Sequence, residues 1–333
     1  MRSVTRFPGC CINTVYSLLM NRREFMLLLP GAGLAGAAGN AYSGWLRSPA
    51  SQQFGNDICR SLSPEILTVA ERRSGDLVFQ GTHILAFGAM RELAERYGKG
   101  GERIVVHGGG CDDGIVAVRR GAADFGGLCC PVRGSSAEGM PWLPVARDLK
   151  AVVAHPSNPV AAIGLEQLRG VARGDVARWK ALRGEDRPIA LIIRRHCPDY
   201  FEPVRDALLK NRPEWSPKGI FVDTDEQIVD TVSRFSGGLG IVSWVFARPL
   251  VETGRLKVLA LDGMTPAEGV RRRGGYALEG PLVLIYRQWV RARMAPFLDF
   301  LYGPEGEKIV GRSLIPIAAA EAGYRKGGTL TRA

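Results

Sequence analysis

Ile104-Val105-Val106-His107-Gly108-Gly109-Gly110-Cys111-Asp112-Asp113 is an apolar run of strand length that breaks on three glycines and an acidic pair. Gly114 to Arg120 follows it with helical spacing. Upstream, Asp76-Leu77-Val78-Phe79-Gln80-Gly81 reads as a buried strand ending in a glycine turn, and Ile84 to Tyr97 as a helix stopped by Gly98-Lys99-Gly100-Gly101. Downstream, Ala123-Asp124-Phe125-Gly126-Gly127 is a short third strand running into Leu128-Cys129-Cys130-Pro131. Strand, glycine turn, helix, strand is the pattern of a parallel α/β sheet. Such sheets take ligands at the carboxyl ends of their strands, where these loops lie.

A second unit begins near Leu149-Lys150-Ala151-Val152-Val153-Ala154-His155-Pro156. It continues with a helix from Leu165 to Arg169, a strand from Pro188 to Ile193 that runs into Arg194-Arg195-His196-Cys197-Pro198, and a helix from Tyr200 to Lys210. Ile220-Phe221-Val222, a helix from Glu226 to Arg234 and the strand Gly240-Ile241-Val242-Ser243 follow. Lys257 to Leu261, Leu282 to Tyr286 and a helix from Arg291 to Leu301 read as a return to the first unit.

The 333 residues, 46% hydrophobic and 23% charged, suit about two globular domains and exclude disorder as the main state. A polytopic membrane protein is excluded too, because only one apolar run is long. The net charge of +11 comes mostly from scattered arginines, so the chain carries no nucleic-acid footprint. Asn21-Arg22-Arg23-Glu24-Phe25-Met26 precedes the apolar run Leu27 to Ala38, and small residues around Ala41 follow. Basic, apolar, then small is the order of a secretory signal peptide, and the arginine pair resembles a twin-arginine signal. Loss of residues 1–41 removes four arginines and one glutamate, taking +11 to +8.

Two of the seven cysteines, Cys10 and Cys11, leave with that leader. Cys59, Cys111, Cys129, Cys130 and Cys197 remain, an odd number in a chain expected to meet oxidising conditions. No C-x-x-C spacing occurs, which argues against thioredoxin-like chemistry.

From about residue 76 to 318 the chain resembles the phosphate-type periplasmic solute-binding proteins of ABC importers. The matching segments are Gly108-Gly109-Gly110 before a helix with Gly114-Ile115, then Arg120-Gly121-Ala122-Ala123-Asp124-Phe125-Gly126 and Val153-Ala154-His155-Pro156-Ser157-Asn158-Pro159-Val160. Leu165-Glu166-Gln167-Leu168-Arg169-Gly170, Trp179-Lys180, Gly237 to Val242, and Phe297 to Leu301 with Gly303-Pro304-Glu305-Gly306 complete the set. The resemblance implies an α/β, two-lobed type 2 periplasmic binding protein fold with two crossing strands and an interlobe cleft. It implies a leader over 1–41, an irregular segment over 42–75, a first lobe over 76–150 and 250–320, a second over 151–249, and a tail over 321–333. It further implies a periplasmic monomer that is not an enzyme and that hands a small inorganic ligand to an ABC-type permease.

The binding loops depart from the family pattern. Gly81-Thr82-His83 replaces a Gly-Ser/Thr-rich loop, and Gly109-Gly110-Cys111-Asp112 replaces glycine and serine. Cys129 stands where a ligand-binding aspartate is expected, and His196-Cys197-Pro198 stands where Ser-Gly-Thr should follow the arginine. The expected ligand-binding set is therefore Thr82, His83, Gly110, Cys111, Cys129, Cys130, Arg194, Arg195, His196 and Cys197. Thiols and imidazoles together suit a soft metal ion or metalloid, with Cys111, Cys129, Cys197 and His196 as its candidate donors. An oxyanion held by altered contacts and a disulfide from Cys111 to Cys129 or Cys130 remain open, as do a periplasmic sensor and a thiol redox enzyme. Side chains of adjacent residues in extended structure point apart, so one of Cys129 and Cys130 is expected to enter the site. His107, within a strand, is expected to be a core histidine, and Asp112 and Asp113 to cap a helix.

Overall fold

A computed structural model describes residues 73–100, 102–194, 203–210, 215–326 and 329–330. The leader, Cys59, Arg195, His196 and Cys197 lie outside the described residues.

β1 (Leu77–Thr82) is buried along its whole length. It runs into α1 (His83–Leu85), a wide π-type turn over Ala86–Met90, and α2 (Arg91–Tyr97). β2 (Ile104–Gly109), α3 (Cys111–Arg120) and β3 (Phe125–Leu128) follow. The helix therefore starts at Cys111, three residues before its sequence-based start, because the Asp113 carboxylate accepts the Gly110 N–H at 3.0 Å. β1 lies between β2 and β3 and is parallel to both, with Thr82 opposite Gly109 and Gly81 opposite Gly127. The three carboxyl ends are thus level with one another. Two glycines permit this spacing. A Cβ on Gly81 would lie 2.2 Å from the Gly127 nitrogen, and one on Gly114 would lie 2.7 Å from the Gln80 carbonyl oxygen.

β4 (Trp142–Ala154) is one continuous strand of 13 residues, where the sequence suggested a unit beginning near Leu149. After it come β5 (Ala162–Ile163), α4 (Leu165–Arg173), β6 (Ala190–Arg194), α5 (Pro203–Leu209), β7 (Ile220–Val222), α6 (Asp225–Arg234) and β8 (Gly238–Ser243). Then follow α7 (Trp244–Glu252), β9 (Lys257–Leu261), α8 (Pro266–Arg272), β10 (Glu279–Tyr286), α9 (Arg291–Leu301), α10 (Pro304–Val310) and β11 (Ile315–Pro316). β12 (Tyr324–Arg325) and β13 (Thr329–Leu330) form a separate pair. Helices α7 and α8 have no counterpart in the sequence reading.

The main sheet runs β2-β1-β3-β10-β4-β8-β6-β7. This is the two-lobed α/β architecture expected, and β4 joins its halves. Residues Trp142 to Leu149 pair with β10, whereas Lys150 to Ala154 pair with β8, beginning with Lys150 opposite Ser243. Apolar burial anchors each half. Phe79, Phe125 and Phe297 pack at fully buried positions in the first. In the second, the fully buried Trp179 donates its indole N–H to the Gly237 carbonyl at 2.9 Å. Among the described residues no helix is long and apolar enough to cross a membrane.

Candidate functional site

Level strand ends place three cysteines together. Cys111 opens α3 just after β2, while Cys129 and Cys130 follow β3 directly. Their sulfurs all lie within 4.8 Å of one another, and all three are free thiols. The Cys111 and Cys129 sulfurs are 3.4 Å apart, and the Cys129 N–H donates to the Cys111 sulfur at 3.2 Å. Both members of the adjacent pair enter the cluster, against the expectation of one. The reason is local: the chain bends at Cys129-Cys130 instead of staying extended, so the alternation of side chains ends at Leu128.

Thr82, 3% exposed at the end of β1, hydrogen-bonds to the Cys129 sulfur. Hydrogen bonds from the Cys111 and Cys130 thiols and from Thr82, with the nearby Lys150 charge, hold Cys129 well below the usual thiol range. The Cys111 thiol is pushed up correspondingly by the same contacts with Cys129 and Cys130 and by burial.

Lys150 links the thiols to the second half of the sheet. It forms a 2.8 Å ion pair with Asp148. Residues two apart on a strand share a face, so β4 presents both together. Asp148 is 2% exposed and also accepts the Ser243 hydroxyl at 2.7 Å. Burial raises its pKa against the opposing pull of Lys150, and the charge of Asp225 raises it further. Asp225 in turn takes the Arg194 guanidinium at 2.7 Å. Beside it, burial and the Asp225 charge push Glu226 up to about 7. The site thus runs from Thr82 and the thiols through Lys150 and Asp148 to Asp225, Arg194 and Glu226.

The expected residues divide as follows. Thr82, Cys111, Cys129 and Cys130 converge. Gly110 lies beside them with its amide turned to Asp113. Arg194 closes β6, with its charge matched by Asp225. His83 is buried at the start of α1, its ring edge-on to Phe87 at 5.8 Å. Arg195, His196 and Cys197 fall outside the described residues. His107 is exposed, correcting its core assignment, because β2 is the outermost strand of the sheet. Asp113 is a cap as expected, and Asp112 beside it is exposed. Lys150, Asp148, Ser243, Asp225 and Glu226 were not anticipated. A lone lysine inside Leu149-Lys150-Ala151-Val152-Val153 was the available signal, since an unpaired lysine is seldom buried.

No family model matches the chain. A curated relative, the phosphate-binding protein PstS of Borreliella burgdorferi, is 21% identical over 172 residues. That match covers 50% of this chain and 61% of the relative, so the chain spans less than two thirds of the relative's length. A solved structure from Clostridium perfringens, described as a phosphate ABC transporter substrate-binding protein with bound phosphate, superposes with a TM-score of 0.64 at 20% identity. It covers 73% of this chain and 99% of that one. An ABC-type phosphate transport receptor from Vibrio cholerae gives a TM-score of 0.55 at 22% identity, covering 72% of this chain and 99% of its own. At these identities the likeness is one of fold.

Proposed function

We propose that this chain, built on the fold of the phosphate-type periplasmic substrate-binding proteins, is an exported solute-binding protein that captures a small inorganic ligand and delivers it to an ABC-type permease. Its lobes are taken at the boundaries the sequence suggests, 76–150 with 250–320, and 151–249, with one exception. β9 (Lys257–Leu261), read from sequence as a return to the first unit, pairs with Val152 to Ala154 of β4 and with β5, and so sits with the second. One observation carries the reading. The strand ends of one half (Thr82, Cys111, Cys129, Cys130) and the charged groups leading to the other (Lys150, Asp148, Asp225, Arg194) meet where β4 changes partner from β10 to β8. Ligands of open α/β sheets sit in the crevice outside carboxyl strand ends, where Thr82 and the cysteines lie. A ligand held there touches both halves and favours their closure. Binding in place of turnover fits a site in which each described cation already has an acidic partner.

Small-angle scattering tests the proposal on the leaderless protein with phosphate, arsenate, arsenite and Cu(I) in turn. One of these should compact the protein and stabilise it by about 2.7 kcal/mol at a hundredfold excess over its dissociation constant. Unchanged dimensions and melting temperature with every member of the panel would reject the role.

A further inference from the structure

We propose that Cys111, Cys129 and Cys130 form a three-thiolate site for a trivalent metalloid, with arsenic(III) as its representative. The inference deepens the solute-binding reading and rests on it for the ligand's biological direction. Three sulfurs within 4.8 Å of one another meet the donor count of a three-coordinate soft ion without recruiting another residue. The angle is informative as well. With a thiolate bond of about 2.3 Å, as in zinc sites, sulfurs 3.4 Å apart subtend roughly 95° at a shared ion. For the Cys111–Cys129 pair that is narrower than a tetrahedral or trigonal-planar angle, as a pyramidal centre with a lone pair in its fourth direction would have.

Charge decides among the soft ions. Lys150 is paired with Asp148 at 2.8 Å and Arg194 with Asp225 at 2.7 Å, so each positive charge of the site is already balanced. Cu(I) on three thiolates would leave two negative charges, one more than the Cys129 thiolate brings to a place where Cys111 and Cys130 are each 4% exposed, and Zn(II) asks for a fourth donor that the three sulfurs do not supply. Phosphate would bring its own negative charge to the same balanced site. Arsenous acid arrives neutral and leaves a neutral adduct. In that exchange three As–O bonds break and three As–S bonds form. The Cys111 and Cys130 thiol protons and one proton from solvent, which the Cys129 thiolate lacks, leave with the three hydroxides as water, and arsenic stays trivalent, so neither oxidant nor reductant takes part. Thr82 donates to the Cys129 sulfur, and the Cys129 amide to that of Cys111, so two of the three donor atoms are already oriented by hydrogen bonds.

The test titrates arsenite into the full leaderless protein, reduced with a phosphine that carries no thiol. Native mass spectrometry should show one added arsenic less three protons. Alkylation mapping should show Cys111, Cys129 and Cys130 protected together. Each single substitution, Cys111→Ser, Cys129→Ser or Cys130→Ser, should weaken binding by about a hundredfold or more, since it deletes one linked donor. Cys59→Ser should leave binding unchanged. The mapping needs no variant, so a misfolded serine variant does not blunt the test. Protection of fewer than three of these thiols, of other cysteines instead, or displacement of arsenic by stoichiometric Cu(I) would overturn the assignment. Scattering separates the two readings. Arsenite bound at the three thiols without compaction keeps the site and removes the importer role. Compaction on phosphate with no arsenite uptake removes the site and keeps the importer role.

Discussion

Replacing Lys150 with methionine isolates the buried ion pair at the point where the sheet changes partner. Lys150 is 7% and Asp148 2% exposed, so the carboxylate left behind cannot turn to water. Its remaining partner shown here is the Ser243 hydroxyl. Breaking a buried pair from one side costs about 3–5 kcal/mol. The least costly relief is protonation of Asp148, and that gives the magnitude a pH dependence. From an unperturbed value of 3.8, holding this carboxyl neutral costs about 4 kcal/mol at pH 7 and about 2 kcal/mol at pH 5, at 1.36 kcal/mol per unit. Urea unfolding of Lys150→Met should therefore show a penalty at pH 7 of at most the first figure, since the raised pKa of Asp148 already carries part of that cost in wild type, and the penalty should shrink at pH 5. Adding Asp148→Asn to Lys150→Met should recover much of the loss at pH 7, because no buried charge remains. A penalty below about 1 kcal/mol, or one that does not change between the two pH values, would refute the reasoning by showing that water reaches the pair.

Glu226 supplies a second pH signature. Its pKa is raised from 4.5 to about 7, so its contribution is fully present below the unfolded value and is lost as pH rises through the folded one. Thermal unfolding of Glu226→Gln should accordingly lack a decline that wild type shows between pH 5 and pH 8, on the order of 3 kcal/mol at most; parallel curves for the two proteins would refute it. Changing Arg22 and Arg23 together to lysine should leave precursor in the cytoplasm on fractionation, and normal periplasmic accumulation would reject the twin-arginine route while leaving a secretory one standing.

Much of the fold was legible because its signals are local. An apolar run broken by Gly108-Gly109-Gly110 ends a strand wherever it occurs, and the spacing of Glu226 to Arg234 buries Ile228, Val229 and Val232 on one helix face. The strand ends that carry Thr82, Cys111 and Cys129 could therefore be located from sequence, and the thiols suspected there. How those groups meet was not legible, because each meeting joins residues far apart in the chain or turns on a single bend. Cys111 faces Cys129 across 18 positions, and Cys130 joins them only because the backbone bends after Leu128. Arg194 belongs with Arg195 to the expected ligand-binding set, and nothing in the sequence signals that Asp225, 31 positions later, accepts its charge. Lys150 is a strand residue like its neighbours until Ser243 lies opposite and Asp148 shares its face. Periodicity records which face of an element is buried, whereas the charge partners of a buried group depend on which elements the packed sheet sets side by side.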